Sequence, residues 1–582
     1  MKDTRTDIGL LNLRWAQAFA DGFAAAGIAD LVLSPGSRST PLALAFLRQP
    51  AIRCHVILDE RSAAFFALGI AKVSRRPTAV LCTSGSAPAN WYPAIIESDA
   101  DATPLLLLSA DRPPELQGWG ANQTIDQNHL FGRHVRAFHQ PGAPHDDFSP
   151  DYLHRLAARA VSESLWPLPG PVHLNLAFRE PLLPAGAAAD WPLTASPRNS
   201  LPEIRVARGR LLPDADAIAR LSARIDTQAG AIVCGRGDYP ADFAEAVTAL
   251  AGKIDCPILA EPSSNLRFGP HDRSRLCVRY EAFLRNPAFV AALPAQWVLR
   301  FGAFPIARTL QDWLSTLPEQ FVVTPDSRWP DPQHRASHIV QADPTEFCRA
   351  LNATELRPAS AESRAAMAHA EAVAGTMADR YRHKYFEGAL IPALLELLPA
   401  GHSLFCGNSM TIRDLDAFSG SSDQPLRIFC NRGASGIDGN PSTALGIATG
   451  GPCVALIGDL TAQHDLTALA STSGHDIVFV VLNNGGGGIF EYLPQAALPE
   501  FERAWLTPQR VDFATAARAF GVACERVESL DRFKSALRSA LDRGGASLIE
   551  VAIERQTSVE LHRRYWQEIS RASLLSGTKV DP

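Results

Sequence analysis

The sequence predicts an α/β protein with three domains, each built on a parallel sheet flanked by helices. Its 582 residues suggest three or four domains, because a domain typically has about 150 residues. Hydrophobic residues make up 46% of the chain and charged residues 20%, a globular composition that excludes a wholly disordered or fibrous protein. Short apolar runs of strand length alternate with helix-period stretches, a rhythm typical of βαβ units.

Two stretches with linker composition divide the chain. Leu182–Pro202 is rich in Pro, Ala and Ser and has no apolar periodicity. Thr354–Ala374 is rich in Ala and Glu, and we expect it to begin as a linker and continue as a helix. The predicted domains are therefore residues 1–185, 200–355 and 375–582.

The two outer domains show the strand–helix rhythm most clearly, with a helix predicted at Arg61–Val73 in the first. The continuous apolar character of their strands is typical of parallel strands covered on both faces. The predicted strands are Asp30–Ser34, Cys54–Leu58, Thr78–Cys82, Leu105–Ser109, Cys453–Ile457, Ile477–Leu482 and Ser547–Ile553.

The outer domains also share a layout, in which a strand is followed by a short polar motif and a helix. The motif is Thr83-Ser84-Gly85 in one domain and Gly458-Asp459-Leu460 in the other. Either an internal duplication or convergent α/β architecture would explain this. In the middle domain, the predicted strand Ala231–Cys234 precedes Gly235-Arg236-Gly237, which gives only weak support to a dinucleotide site because the full Gly-x-Gly-x-x-Gly pattern is missing.

Charge and cysteine usage exclude several classes of protein. The 55 Lys and Arg residues against 61 Asp and Glu give a net charge of −6, so we do not expect nucleic acid as a partner. We expect neither a signal peptide nor a transmembrane segment, because the apolar runs are far shorter than the ~20 residues that span a bilayer. The ten cysteines are scattered without a Cys-x-x-Cys pair, which favours a cytoplasmic location.

One pair of motifs predicts a metal and phosphate site. Asn483 lies 24 residues after Asp459, a distance that fits one helix and one returning strand, so both motifs should lie at the carboxyl edge of one sheet. A carboxylate, an amide oxygen and a backbone carbonyl are ligands that Mg²⁺ prefers, and the run Gly485–Gly488 would let backbone approach a diphosphate. The alternative is that Asp459 caps a helix and the glycines form a tight turn.

This arrangement resembles the diphosphate and metal motif of thiamine-diphosphate enzymes. In that superfamily, a glutamate from another domain bonds to the aminopyrimidine ring and promotes its imino tautomer. The resemblance implies that Glu60, in Leu58-Asp59-Glu60-Arg61, is this catalytic glutamate. By itself, Glu60 could instead be an acid favoured at a helix start.

Seven motifs in order narrow the resemblance to the 2-succinyl-5-enolpyruvyl-6-hydroxy-3-cyclohexene-1-carboxylate synthase family of menaquinone biosynthesis. They are Ser34–Pro41, Asp59–Arg61, Thr83–Gly85, Asp111–Leu116, Gly120–Gln123, Gly407–Ser409 and Asn431–Gly439. The resemblance implies a thiamine-diphosphate-binding fold with a pyrimidine-binding domain first, a central domain, and a diphosphate-binding domain last.

The resemblance also implies the reaction. A transferase of this family decarboxylates 2-oxoglutarate and adds the succinyl carbanion to isochorismate, using thiamine diphosphate and Mg²⁺ or Mn²⁺. The catalytic glutamate and the metal site usually meet across a subunit interface, so we expect a homodimer or a homotetramer. Both substrates are dicarboxylates, which suits arginine because it forms charged bidentate forks.

The matched motifs give each candidate residue an expected role. Ser409 and Arg413 would hold the succinyl carboxylate, and Arg308 and Arg432 would add further substrate contacts. Those expected to face isochorismate or the shared intermediate are Ser37, Arg38, Arg112, Asn122 and Gln123. The cofactor set is Glu60, Ser84, Ile437, Asp459, Leu460, Thr461, Asn484 and Ile489, and the metal ligands are Asp459, Asn484 and the carbonyl of Gly486.

Three positions depart from the expected patterns. Leu460 replaces the Gly of the broader superfamily, Gly485 stands where a third Asn is expected, and Ala307 stands where this family tends to have Lys. Two other functions stay open. An acetolactate-synthase-like carboligase acting on another 2-oxoacid would not need the arginine set, and a non-catalytic cofactor-binding subunit would be expected to lose Glu60 or the metal ligands.

Overall fold

The computed structural model describes residues 7–147, 149–186, 191 and 204–574, so most of the predicted linker Leu182–Pro202 lies outside the described residues. The described chain divides into two compact units. Unit 1 comprises the described parts of Met1–Arg208, Asn431–Pro452 and Thr461–Ile477. Unit 2 comprises the described parts of Gly209–Cys430, Cys453–Leu460 and Val478–Pro582.

The first sheet lies in unit 1 and has six described strands in the order β2-β1-β3-β4-β6-β5, all paired in parallel. The strands are β1 Asp30–Leu33, β2 Arg53–Val56, β3 Thr78–Cys82, β4 Leu105–Asp111, β5 Ala137–His139 and β6 Val172–Ala177. The helices are α1 Ile8–Ala25, α2 Thr40–Leu47, α3 Glu60–Ser74, α4 Ser86–Ala89, α5 Tyr92–Asp101 and α6 Pro150–Glu163. Strands β1, β3, β4 and β6 are wholly buried, as expected for a sheet covered on both faces.

The middle sheet lies in unit 2 and has the order β12-β11-β10-β7-β8-β9. This is the doubly wound order 3-2-1-4-5-6 of dinucleotide-binding folds. The strands are β7 Gly230–Cys234, β8 Ile258–Ala260, β9 Leu276–Cys277, β10 Trp297–Phe301, β11 Glu319–Thr324 and β12 His338–Gln341. The helices are α7 Ala215–Ile225, α8 Phe243–Ile254, α9 Tyr280–Phe283, α10 Pro287–Ala292, α11 Arg308–Thr316, α12 Pro344–Asn352 and α13 Glu362–Asp379. The start of α13 within Thr354–Ala374 agrees with the predicted change from linker to helix.

The third sheet has the order β14-β13-β15-β16-β18-β17, the same permutation as the first sheet. This shared order extends the likeness of the two outer domains from their motifs to their whole sheets. The strands are β13 Ser403–Cys406, β14 Arg427–Phe429, β15 Cys453–Gly458, β16 Ile477–Asn483, β17 Ala523–Val527 and β18 Ala546–Ala552. The helices are α14 Glu387–Leu397, α15 Met410–Phe418, α16 Asn440–Ala448, α17 Asp459–His464, α18 Phe513–Ala519, α19 Leu530–Arg543 and α20 Arg555–Arg571. None of the described helices is both long enough and apolar enough to cross a membrane.

Two glycines bring α3 and α16 into backbone contact within unit 1. A Cβ added to Gly69 would lie 2.1 Å from the carbonyl oxygen of Thr443, and one added to Gly446 would lie 2.1 Å from that of Phe66. Each glycine therefore faces a carbonyl three residues before the other glycine, which gives the contact an approximate twofold symmetry. Glycine is required at both positions, because any side chain would push the helices apart.

Candidate functional site

In unit 2, the structure brings the two parts of the predicted metal motif together. Asp459 begins α17 directly after β15, and its carboxylate accepts hydrogen bonds from the backbone N–H of Leu460 at 2.9 Å and of Gly486 at 2.8 Å. The Asp459 side chain is buried, and this burial raises its pKa to about 6. A cation beside the carboxylate would favour its ionised form and so offset the cost of burial.

The two asparagines after β16 have different surroundings. The side-chain amide of Asn483 donates to Glu550 at 2.7 Å, and its oxygen accepts from the N–H of Gly485 at 3.1 Å, so Asn483 fixes the turn. The Oδ1 atom of Asn484 is buried and has no hydrogen-bond partner among the described residues. A buried carbonyl oxygen without a donor is costly, and a bound cation would satisfy it. This observation fits Asn484, and not Asn483, as a metal ligand.

The glycines after Asn484 form a cradle that a side chain would fill. Gly486 has φ +135°, and a Cβ there would lie 2.2 Å from the carbonyl oxygen of Leu506. A Cβ on Gly488 would lie 2.7 Å from the side-chain nitrogen of Asn484. Leu460 and Ile489, also assigned to the cofactor, are half-buried beside these motifs in the sequence. The donor set and the bare backbone therefore fit a hard cation with a diphosphate.

Ser409 and Arg413 come together at the start of α15, also in unit 2. The Arg413 guanidinium donates to the carbonyl oxygen of Ser409 at 2.6 Å. Ser409 has φ +67° and ψ −129°, a backbone conformation that residues other than glycine rarely adopt. Such strain persists where the surrounding structure enforces it, often at a functional site, which agrees with the predicted substrate role of Ser409.

Two buried ion pairs that the sequence analysis missed hold α15. Asp414 contacts His562 of α20 at 3.1 Å, and Asp416 pairs with Arg267 while accepting a hydrogen bond from Tyr280 at 2.6 Å. Burial opposes protonation of His562, but the Asp414 carboxylate outweighs it and raises the pKa of His562 to about 9. The helix that presents Ser409 is therefore fixed on its buried face by charged contacts.

Replacing Ser409 by Gly is expected to raise thermal stability and weaken substrate binding. Relief of the positive φ is worth about 1–3 kcal/mol, which exceeds the roughly 0.4–1 kcal/mol that a more flexible unfolded chain costs. The lost hydroxyl should raise KM for the substrate that Ser409 is predicted to bind. Ser409→Ala is the matched control, since it removes the hydroxyl but keeps the strain. A Ser409→Gly variant with a lower unfolding midpoint than Ser409→Ala would contradict this account of the strain.

In unit 1, Glu60 is the first residue of α3. The capping role belongs to its neighbour, because Asp59 accepts from the N–H of Arg61 at 3.0 Å. Among the described residues, Glu60 forms no hydrogen bond or ion pair through its side chain. Its carboxylate lies near Cys82, the last residue of β3. Burial raises the pKa of Cys82, and the negative charge of Glu60 raises it further. Glu60 is therefore available for a ligand at this edge of the sheet.

Ser84, Arg112 and Gln123 meet at the ends of β3 and β4. The Arg112 guanidinium donates to the Ser84 hydroxyl. That hydroxyl donates to the backbone carbonyl of Gln123 at 3.1 Å, and the side-chain amide of Gln123 donates to the backbone carbonyl of Ser84 at 3.1 Å. The backbone N–H of Arg38 donates to the hydroxyl of Thr83, the neighbour of Ser84, at 3.3 Å. Burial and then repulsion from Arg38 lower the pKa of Arg112. Two neighbouring cations of this kind suit a dicarboxylate.

Other protein groups hold Arg38 in place. Arg38 is buried and donates to the carbonyl of Phe178 at 2.9 Å and to the Glu180 carboxylate at 2.7 Å. The remaining predicted residues of these loops, Ser37 and Asn122, are exposed.

A buried amide network that the sequence analysis missed supports the same edge. Gln127 accepts from the N–H of Gly85 at 3.0 Å and donates to Asn175 at 2.8 Å. Asn175 donates to Asp111 at 2.8 Å, and Asp111 accepts from the N–H of Arg112 at 2.7 Å. A detectable signal exists, because His173 and Asn175 are polar residues in β6, whose other residues are apolar.

The remaining candidates are more dispersed. Arg432 and Ile437 lie in unit 1 on the loop that precedes α16, both half-buried, and Thr461 is buried in α17. Arg308 begins α11 in unit 2, where its side chain is 82% exposed and pairs with Asp312 at 2.8 Å. Within the described residues, Arg308 forms no hydrogen bond or ion pair with another predicted site residue, and its substrate role stays a prediction.

Comparison with known proteins agrees with this geometry. Three family models match the chain: "Thiamine pyrophosphate enzyme, N-terminal TPP binding domain" over residues 13–130, "Middle domain of thiamine pyrophosphate" over 214–406, and "Thiamine pyrophosphate enzyme, C-terminal TPP binding domain" over 417–551. A crystal structure of benzoylformate decarboxylase from Polynucleobacter necessarius shares the fold, with a TM-score of 0.68 at 19% identity over 93% of this chain and 98% of that one.

Relatives similar over nearly the whole chain share one name, 2-succinyl-5-enolpyruvyl-6-hydroxy-3-cyclohexene-1-carboxylate synthase. The protein from Dechloromonas aromatica is 51% identical over 94% of this chain and 99% of its own length. Those from Geobacillus kaustophilus and Chloroflexus aurantiacus are 42% and 40% identical, each over at least 96% of this chain and 98% of their own lengths. The chain therefore belongs to the 2-succinyl-5-enolpyruvyl-6-hydroxy-3-cyclohexene-1-carboxylate synthase family, within the thiamine-diphosphate enzymes.

Proposed function

We propose that this protein is a thiamine-diphosphate-dependent transferase that decarboxylates 2-oxoglutarate and transfers the remaining succinyl unit to isochorismate, in menaquinone biosynthesis. Family membership supports the reaction. The structural observation that carries it is the cluster at the end of β3, where Arg112 and Gln123 bond to Ser84 and the Arg38 backbone bonds to Thr83. This arrangement suits a substrate with more than one carboxylate.

Two observations support the cofactor and metal assignments. The Oδ1 atom of Asn484 has no hydrogen-bond partner among the described residues, and the backbone at Gly486 and Gly488 leaves no room for a side chain. Thiamine diphosphate, when bound, supplies the carbon nucleophile and accepts the electron pair left by decarboxylation. Asp459, Asn484 and the carbonyl of Gly486 would hold Mg²⁺ or Mn²⁺, which in turn would bind the diphosphate. Glu60 would hold a proton on the aminopyrimidine, and Ile437 would support the bent shape of the cofactor.

The substrate residues divide by charge and place. Ser409 and Arg413, which contact each other in unit 2, would bind the distal carboxylate of 2-oxoglutarate. The Arg38–Arg112 pair in unit 1, with Ser37, Asn122 and Gln123 nearby in the sequence, would bind isochorismate. Arg432 and Arg308 would add further positive charge.

One assay separates this function from its main alternative, an acetolactate-synthase-like carboligase. The pure protein with thiamine diphosphate and Mg²⁺ is offered 2-oxoglutarate or pyruvate, with isochorismate as acceptor, and the product is identified by mass. We expect turnover with 2-oxoglutarate and release of CO₂. Turnover with pyruvate alone would overturn the proposed reaction and favour the alternative.

Removal of the metal, or of its amide ligand, is expected to release the cofactor. Chelation by EDTA should abolish thiamine diphosphate binding, and Asn484→Ala should weaken that binding at least about tenfold, equal to ~1.4 kcal/mol. Isothermal titration with the cofactor measures both effects, in EDTA without added metal for the first and at fixed Mg²⁺ for the second. Asn483→Ala is the matched control, because Asn483 is already occupied by Glu550 and the Gly485 N–H. Equal cofactor affinities of the two variants would contradict Asn484 as a ligand.

We also propose a homodimer, alone or paired into a tetramer, in the cytoplasm. Two large apolar side chains lie near predicted site residues in the sequence and are exposed in the single chain, Leu58 by 82% and Trp119 by 83%. In the proposed dimer, a second copy of the chain would cover both side chains. All ten cysteines are free thiols, which suits a reducing compartment. A monomer that is fully active at high concentration in sedimentation experiments would contradict the dimer.

A further inference from the structure

We infer that Glu97 is a positioning residue, whose carboxylate holds the Asn431–Gly439 loop in the conformation that presents Arg432 and Ile437. This inference rests on the proposed function for the roles of those two residues. The contacts themselves all lie within unit 1 and do not depend on it.

The Glu97 carboxylate accepts hydrogen bonds from three successive backbone N–H groups. They come from Gly433 at 2.8 Å, Ala434 at 2.6 Å and Ser435 at 3.3 Å. The Glu97 side chain projects from α5 and is only 3% exposed. Consecutive N–H groups that converge on one anion form an anion-binding nest, and hydrogen bonds to a charged acceptor are roughly twice as strong as neutral ones.

A second contact fixes the same part of the loop against α5. A Cβ on Gly433 would lie 2.6 Å from the carbonyl oxygen of Glu97 and 2.8 Å from the backbone nitrogen of Asp101. The loop backbone therefore rests directly on the helix backbone. Only glycine permits this approach, and it is this approach that brings the three N–H groups onto the carboxylate.

The two ends of the loop are held by α16. Asn440 donates to the carbonyls of Gly436 at 3.1 Å and Asp438 at 3.0 Å, and Asn431 donates to the Thr443 hydroxyl at 2.9 Å. The part between these anchors, from Arg432 to Ser435, is the part that Glu97 holds. Arg432 lies one residue before the nest and Ile437 two residues after it.

Loss of the carboxylate should affect binding and turnover in different ways. Arg432 is assigned to the substrate, so its displacement should raise KM. Ile437 is assigned to the cofactor, so its displacement should lower kcat. A residue that only stabilised α5 would lower the unfolding temperature and leave KM and kcat of the folded enzyme unchanged.

The test compares Glu97→Gln with wild type in the full chain. The amide keeps the side-chain volume but loses the charge and one acceptor oxygen. We expect kcat/KM to fall about tenfold to a hundredfold, with changes in both KM and kcat, because each lost charged hydrogen bond is worth roughly that factor. Hydrogen exchange followed by mass spectrometry, without cofactor, should show faster exchange in a peptide covering Asn431–Asn440, with α5 unchanged.

Controls separate the possible failures. Glu163→Gln, which removes a carboxylate of the same unit that pairs with His139 and Arg159, should leave kinetics and loop exchange unchanged. If Glu97→Gln does not fold, Glu97→Asp is measured in its place, and its shorter carboxylate should also speed loop exchange. Wild-type exchange in the loop of either folded variant would overturn the inference. A wild-type chain without turnover of 2-oxoglutarate and isochorismate would instead overturn the proposed function, and the exchange measurement would still decide the role of Glu97.

Discussion

Replacing Glu60 by Gln is expected to lower kcat by about 10²–10⁴-fold while thiamine diphosphate still binds. The amide keeps the shape of the side chain but cannot share a proton with the aminopyrimidine ring, which is the role proposed for Glu60. The structure favours this role because Asp59 already caps α3, and Glu60 forms no hydrogen bond or ion pair through its side chain with another described residue. Steady-state turnover of 2-oxoglutarate, together with calorimetric titration of the cofactor, checks both halves of the expectation.

Asp59→Asn provides the control for this prediction. Asparagine is as good a helix cap as aspartate, so the variant should fold and keep most of its turnover, with a change in stability below about 1 kcal/mol. Wild-type turnover in Glu60→Gln would remove Glu60 from the mechanism. Loss of cofactor binding in that variant would mean that Glu60 holds the cofactor and would leave its proton-transfer role without support.

Replacing Gly446 by Ala is expected to cause a large loss of stability, about 3 kcal/mol or more. Overpacking of a core side chain typically costs about 1–3 kcal/mol. Here the new Cβ would lie 2.1 Å from the backbone oxygen of Phe66, which cannot rotate away as a side chain can. The unfolding midpoint at fixed protein concentration measures this effect, because assembly shifts the midpoint with concentration.

The matched control for Gly446→Ala should have the opposite sign. Gly252 lies inside α8, and a Cβ there would meet only the end of the Arg275 side chain, at 3.9 Å. Gly252→Ala should therefore raise stability by roughly 0.5–1 kcal/mol, the usual gain from alanine in a helix. A Gly446→Ala variant as stable as Gly252→Ala would show that α3 and α16 are not in backbone contact.

The sequence predicted the strands well where they are buried on both faces, and less well at sheet edges. Thr78–Cys82 was predicted to the residue, because every position in it is apolar or β-branched and buried. The edge strand was predicted at Cys54–Leu58 but lies at Arg53–Val56. Its register follows pairing with β1, where Asp30 contacts both Arg53 and His55. Leu58 is apolar, yet it lies beyond the strand and is exposed, so hydrophobicity alone misplaced the strand end.

The site could be predicted in part, because local spacing and long-range contacts carry different information. The distance from Asp459 to Gly486 is set by one helix and one strand, so the sequence predicted that these motifs would meet, and Asp459 does accept from the Gly486 N–H. The Glu97 contact joins residues that are 337 positions apart, and nothing local marks it. Likewise, the pairing of Asp416 with Arg267 depends on how α15 packs in unit 2.

The symmetric contact of Gly69 with Gly446 links the residue types allowed at two positions that are far apart in the sequence. A larger residue at either position would collide with a backbone carbonyl oxygen of the facing helix. A compensating substitution at another residue cannot relieve this collision, because every residue has that carbonyl oxygen. If the two outer sheets descend from one ancestral segment, then this pair is a self-contact of that ancestor, kept after its two copies diverged in sequence. Selection would then retain the two glycines together.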